Sequence, residues 1–103
     1  MNLVISFKNV DTSDSLKSFI EDKSQTLKKY FDGKISANWT ISTEKQNRIA
    51  HCRIKGNGMD YFGEGVTEDF KASVDVALDK IETQIRKHKE VVKNHLHRNG
   101  KKE

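Results

Sequence analysis

Leu3, Ile5 and Phe7 alternate with polar positions over residues 2–8, the period-two signature of a strand with one buried face. The spacing then lengthens. Asn9-Val10-Asp11-Thr12 reads as a turn. Ser13 can cap a helix start with its hydroxyl, and Asp14 suits the positive end of the helix dipole. Apolar residues at Leu16, Phe19, Ile20, Leu27, Tyr30 and Phe31 predict a helix that runs until Asp32-Gly33 stops it. Alternation returns over 34–43, with Ile35, Ala37, Trp39 and Ile41 on one side and Ser36, Asn38, Thr40 and Ser42 on the other. After the polar turn Glu44-Lys45-Gln46-Asn47, a strand over 48–55 points Ala50, Cys52 and Ile54 inward and His51, Arg53 and Lys55 outward. Gly56-Asn57-Gly58 signals a hairpin, and a weaker strand follows over 59–67, where Gly63 and Gly65 leave room for a helix to pack closely.

A single long helix accounts for the rest. Phe70, Val74, Leu78, Ile81, Ile85, His88, Val92 and Leu96 step by three or four from about 68 to 96, so one stripe is expected to be buried throughout. The order strand, helix, three strands, helix predicts an α+β fold. It is a β-α-β-β-β-α two-layer sandwich, a four-stranded sheet with both helices on one face, as in double-stranded-RNA-binding domains. The meander 34–67 is antiparallel because its connections are short, and the first helix lets the first strand join in parallel. A single domain over 1–96 with a short flexible basic tail, 97–103, is expected.

Composition narrows the classes. At 103 residues the chain is too short for a two-domain enzyme, yet long enough for a core without metal or disulfide staples. No apolar run approaches the roughly 18 residues of a membrane span, and the first residues lack the pattern of a signal peptide. The one cysteine, Cys52, fits a reducing cytoplasm and reads as a small core residue.

Charge changes the picture more. The net +4 is unevenly laid out: +4 over residues 1–59, −5 over 60–85 and +5 over 86–103. Such segregation suits an oriented encounter with a polyanion. No spacing places a nucleophile beside a base, so no catalytic residues are assigned. His88 and His95 are two helical turns apart and His97 does not complete a helical metal pair, so neither a metal nor another cofactor is expected.

On a helical wheel Lys80, Lys87 and Arg98 line one flank of the last helix, interspersed with Thr83, Gln84, Val91 and Asn94 and with no acid. Lysines beside amides and a hydroxyl suit phosphate and ribose contacts. Arg86 lies between Glu82 and Glu90 at i,i+4 spacing. Lys23 sits in the apolar stripe of the first helix, so it must pair, snorkel or emerge where the helices meet, aimed into an inter-helix groove next to Lys80 and Lys87. Lys28 and Lys29 extend that surface, as do His88, Lys89 and Lys93, while His51, Arg53 and Lys55 on the open sheet face rank below the helices.

These positions resemble the short ribosome hibernation promoting factor and ribosome-associated inhibitor family over about residues 1–95. The resemblance is carried by Asn9-Val10, Leu16 with Phe19, Lys23, and Leu27 followed by Tyr30-Phe31-Asp32. In the last helix it is carried by Asp69-Phe70-Lys71-Ala72-Ser73-Val74-Asp75, Asp79-Lys80-Ile81, Gln84-Ile85 and Lys87-His88-Lys89. Lys71 departs from the family's frequent Tyr, and Gly63 and Gly65 stand where it has small residues. The resemblance implies a domain that binds the small ribosomal subunit where messenger RNA and the aminoacyl- and peptidyl-site transfer RNAs sit. Idle ribosomes would thereby be silenced without catalysis. The expected partner is ribosomal RNA, with ribosomal proteins beside it. The chain would be a cytoplasmic monomer off the ribosome, with neither membrane nor small-molecule substrate. Two competing readings are a general double-stranded RNA-binding module, which Glu68 and Asp69 at the start of the last helix disfavour, and a protein-interaction modulator of a transcription factor acting through the acidic 60–85 segment.

Overall fold

The computed structural model describes residues 1–31, 33–56 and 58–101, with side chains described as far as His88 in the last helix. The elements are β1 (Asn2–Lys8), α1 (Asp14–Gln25), a 3-10 turn (Thr26–Tyr30), β2 (Ile35–Glu44), β3 (Asn47–Gly56), β4 (Met59–Thr67) and α2 (Phe70–Lys101). The sheet order is β1-β2-β3-β4. β1 lies parallel to β2 with Ile5 opposite Trp39, and the crossover that a parallel pair requires is α1. β2, β3 and β4 form the antiparallel meander, with Trp39 opposite Cys52 and Cys52 opposite Gly63. The expected fold class is what the chain adopts.

The core lies between the sheet and the helices. Ala37, Trp39, Ile41, Ala50, Cys52 and Ile54 meet Leu16, Ile20 and Leu27 from the first helical segment and Val74, Ala77, Leu78, Ile81 and Ile85 from α2. Trp39, 1% exposed, is the largest side chain buried there, and its indole N–H donates to Ser24 Oγ at 3.0 Å. A buried indole N–H without an acceptor is costly, which explains a serine with no exposure on the inner face of α1.

α2 reaches the sheet at its two small positions. A Cβ at Gly63 would overlap the Ala77 carbonyl oxygen, and one at Gly65 the Ser73 carbonyl oxygen, so helix backbone rests directly on strand backbone. Ser73 fastens the contact: its hydroxyl donates to the Arg48 carbonyl at 2.6 Å and accepts from the Thr67 N–H at 3.0 Å.

Three expectations need correction. α1 ends at Gln25 and gives way to the 3-10 turn, because the Thr26 hydroxyl bonds back to the Lys23 carbonyl at 2.7 Å and tightens the chain. His88 is exposed, since α2 outruns the sheet and its described buried stripe ends at Ile85. The helix backbone also continues to Lys101, past the Leu96 end expected for it, and no Pro interrupts it. The side chains of Val92 and Leu96 lie outside the described residues.

Gly65→Ala should lower stability by at least about 2 kcal/mol in urea denaturation, because the added methyl meets backbone that cannot swing aside. A loss under about 0.5 kcal/mol would show that α2 sits farther from β4. Burial raises the Cys52 thiol well above its ordinary value of 9.0, so the unfolded chain releases a proton in alkali that the folded chain keeps. Stability should therefore fall above pH 9, by up to about 1.4 kcal/mol per pH unit, and this component should be missing from the same titration of Cys52→Ala.

Candidate nucleic-acid interface

α1 and α2 run side by side in the same direction. Lys71 Nζ lies 5.4 Å from the centre of the Phe19 ring, and four residues further along both helices Lys23 Nζ lies 3.4 Å from Asp75 Oδ1. Between them is a groove of about 330 Å³ lined by Lys23, Thr26, Lys29, Asp75, Leu78, Asp79 and Glu82. Lys23 therefore escapes the apolar stripe by emerging at the helix seam, its ammonium 5.3 Å from the centre of the Phe19 ring and paired with the Asp75 carboxylate.

The groove does not gather Lys23, Lys80 and Lys87 as expected. Asp75, Asp79 and Glu82, spaced i, i+4 and i+7, stand with Leu78 on its α2 wall, so among its described lining residues the cations, Lys23 and Lys29, face it from the α1 side. Lys80 and Lys87 do not join Lys23. α2 lies with Ser73 and Ala77 against β4, which turns the neighbouring 80/84/87 flank toward the edge of the sheet and away from α1. There Lys80 Nζ donates to the Glu64 carbonyl at 2.7 Å, and Gln84 Nε2 donates to the Phe62 carbonyl at 2.6 Å. β4 is an edge strand, and the two side chains occupy carbonyls that another strand would otherwise pair.

What does converge is the far end of the molecule. The first helical segment ends alongside α2 near Glu82, so exposed Lys28 and Lys29 on the 3-10 turn lie at the same end of the sheet as exposed Arg86, Lys87 and His88, with half-exposed Thr83 beside them. Among the described residues Arg86 does not pair with Glu82. Glu90 lies outside the described side chains, and so do Lys89, Lys93 and Asn94, although the α2 backbone carries all four beyond Arg86. Strand polarity adds two cations: Ile35 pairs with Gly56, so exposed Lys34 and Lys55 sit at this same end of the sheet. The sequence pattern alone did not single out Lys34; the signal was available in the strand order, which sets where each strand begins. Lys28 and Lys29 also oppose the negative dipole end of the first helical segment.

The opposite face of the sheet is open. His51 Nε2 is 2.6 Å from Glu64 Oε2, and Arg53 Nε is 3.5 Å from Asp60 Oδ1. Between these pairs stands Phe62, 44% exposed, which the hydrophobic pattern does not mark although its outward position follows from the inward Tyr61 and Gly63.

Residues 3–93 match the model of a family described as sigma 54 modulation protein / S30EA ribosomal protein. The chain is 29% identical over 90 residues to a ribosome hibernation promoting factor of Azotobacter vinelandii, covering 87% of this chain and 84% of that one. It is 28% identical over 95 residues to the factor of the same name from Escherichia coli K12, covering 92% and 100%. With a ribosome hibernation promotion factor of Lactococcus lactis it shares 33% identity over 86 residues, which is 80% of this chain but 46% of that one. Among solved structures, the N-terminal domain of Thermus thermophilus Protein Y superposes with a TM-score of 0.79 at 26% identity, covering 85% of this chain and 99% of that one. A ribosomal subunit interface protein from Coxiella burnetii shares the fold, with a TM-score of 0.76 at 22% identity over 87% and 99%.

The bond from Lys80 to β4 has a consequence in the absence of any ligand. Lys80→Ala should lower stability by about 0.5–1.5 kcal/mol in urea denaturation, whereas Lys87→Ala should stay within about 0.5 kcal/mol of the parent. Equal and negligible losses would mean that Lys80 leaves the Glu64 carbonyl in solution.

Proposed function

The chain belongs to the sigma 54 modulation protein / S30EA ribosomal protein family, and on that premise we propose that it is a non-catalytic ribosome hibernation factor. It binds the small ribosomal subunit in the channel used by messenger RNA and the aminoacyl- and peptidyl-site transfer RNAs, and it silences idle ribosomes by filling that space. The observation that carries this reading is the match along nearly the whole chain to relatives named for ribosome hibernation. The site of action is then the cytoplasm. The partner is ribosomal RNA with adjoining ribosomal proteins, and the chain acts as a monomer off the ribosome.

Occlusion asks for affinity and orientation rather than bond-making. Lys28, Lys29, Arg86 and Lys87 at the shared helix pole neutralise phosphates, together with Lys89 and Lys93 farther along α2. Thr83 and His88 add hydrogen bonds there. Lys23, Lys80 and Gln84 contribute from the groove and the β4 edge, each after loosening an internal contact. Asp75, Asp79 and Glu82 repel phosphate behind the pole, so a polyanion meets the molecule end-on. A plain duplex binder fits less well. Asp69 caps the start of α2 with its carboxylate, Oδ2 accepting the Ala72 N–H at 3.0 Å, and Glu68 lies beside it, so phosphate is repelled where such modules commonly bind it.

Purified chain should co-sediment with isolated small subunits at low salt and be released as salt rises. Replacing Lys28, Lys29, Arg86 and Lys87 together by Ala should weaken binding and flatten the slope of log affinity against log salt by about one unit for each phosphate no longer neutralised. Unchanged affinity and slope would place the binding surface elsewhere.

A further inference from the structure

We propose that the open face of the sheet is a second binding surface, for single-stranded RNA, on which Phe62 is the stacking platform for a base. It lies across the sheet from the helices and goes beyond the ribosome-silencing role.

Strand register fixes the layout. One row across the face reads Val4, Asn38, Arg53, Phe62, and its neighbour reads Ser6, Thr40, His51, Glu64. The most exposed large apolar side chains among the described residues, Val4 at 46%, Phe62 at 44% and Val66 at 45%, are all on this face. Phe62 keeps this exposure with two side chains against its ring. The Arg53 guanidinium lies 5.6 Å from its ring centre, and the His51 ring lies 5.5 Å away, tilted by 53°. An aromatic ring held between a guanidinium and an imidazole, with nearly half its surface in water, gives a base π-faces and a cation in one place.

The rest of the face suits the other parts of a nucleotide. The acids Asp60 and Glu64 are engaged by Arg53 and His51, while Lys8 and Lys55 carry no ion pair among the described residues and remain for phosphates. β2 contributes a strip of uncharged hydrogen-bonding side chains, Ser36, Asn38, Thr40 and Ser42, able to meet base edges and the 2′-hydroxyl of ribose. A duplex keeps its bases stacked inside and presents none to Phe62. A protein partner would need a continuous apolar centre, whereas Val4 and Phe62 stand at opposite edges of a polar field.

The test uses fluorescence anisotropy of a fluorescein-labelled oligoadenylate RNA decamer with the full chain and no ribosomes. Saturable binding is expected, weakened about tenfold or more by Phe62→Ala, preserved by Phe62→Trp and reduced severalfold by Arg53→Gln. A blunt RNA duplex should compete poorly, and the DNA decamer should bind more weakly. Phe62 lies outside the core, so thermal melts should show every variant folded. Absence of saturable binding overturns the inference, as does equal binding by Phe62→Ala or equal competition by the duplex. Sedimentation with small subunits separates the two claims: subunits bound without decamer binding overturns this surface alone, and decamer binding without subunits overturns the ribosome reading alone.

Discussion

The close approach of α2 to β4 is the contact on which the rest of the arrangement depends. Gly63 and Gly65 let the helix backbone touch the strand at Ala77 and Ser73, and the Ser73 hydroxyl ties the helix to β3 and β4 at once. A helix seated this tightly has no freedom to roll. Its azimuth therefore decides which side chains face which neighbour: Val74, Ile81 and Ile85 go to the core, Asp75, Asp79 and Glu82 to the α1 groove, and Lys80 and Gln84 to the β4 edge. One backbone contact thus sets both the packing and the electrostatics of the helical face.

The division of charge along the chain becomes a division in space. Because α1 and α2 are parallel, the −5 segment supplies the acidic wall between the helices, and the +5 segment begins where α2 leaves the sheet. The cations on the 3-10 turn join that end, and Lys34 and Lys55 reach it through strand polarity. A net charge of +4 says little by itself. Collected at one pole with acids behind it, the same charge gives the molecule a leading end toward a polyanion.

Most of the fold was legible in the residues. Period-two alternation located the first three strands and the hairpin signal Gly56-Asn57-Gly58 the fourth, Ser13 located the helix cap that Leu16 N–H completes, and the two glycines announced the helix contact. The site was less legible, for a geometrical reason. A helical wheel gives angles about one axis but not the roll of that axis against its neighbours, so it grouped Lys80 and Lys87 correctly and assigned them the wrong companion in Lys23. Ser24 escaped notice for a similar reason: a polar residue in an apolar stripe gains its meaning only from the Trp39 indole, brought to it by the fold. Likewise, Phe62 is one more strand residue until the register places Arg53 and His51 beside it.

The proposed function requires this small domain to occupy the space of messenger and transfer RNA. The most direct measurement is competition on small subunits, titrating the chain against a labelled transfer RNA held in the peptidyl site by a short messenger. Displacement of one transfer RNA for each chain bound is expected, with neither able to join a complex the other has filled. Simultaneous binding of both to the same subunit would contradict it.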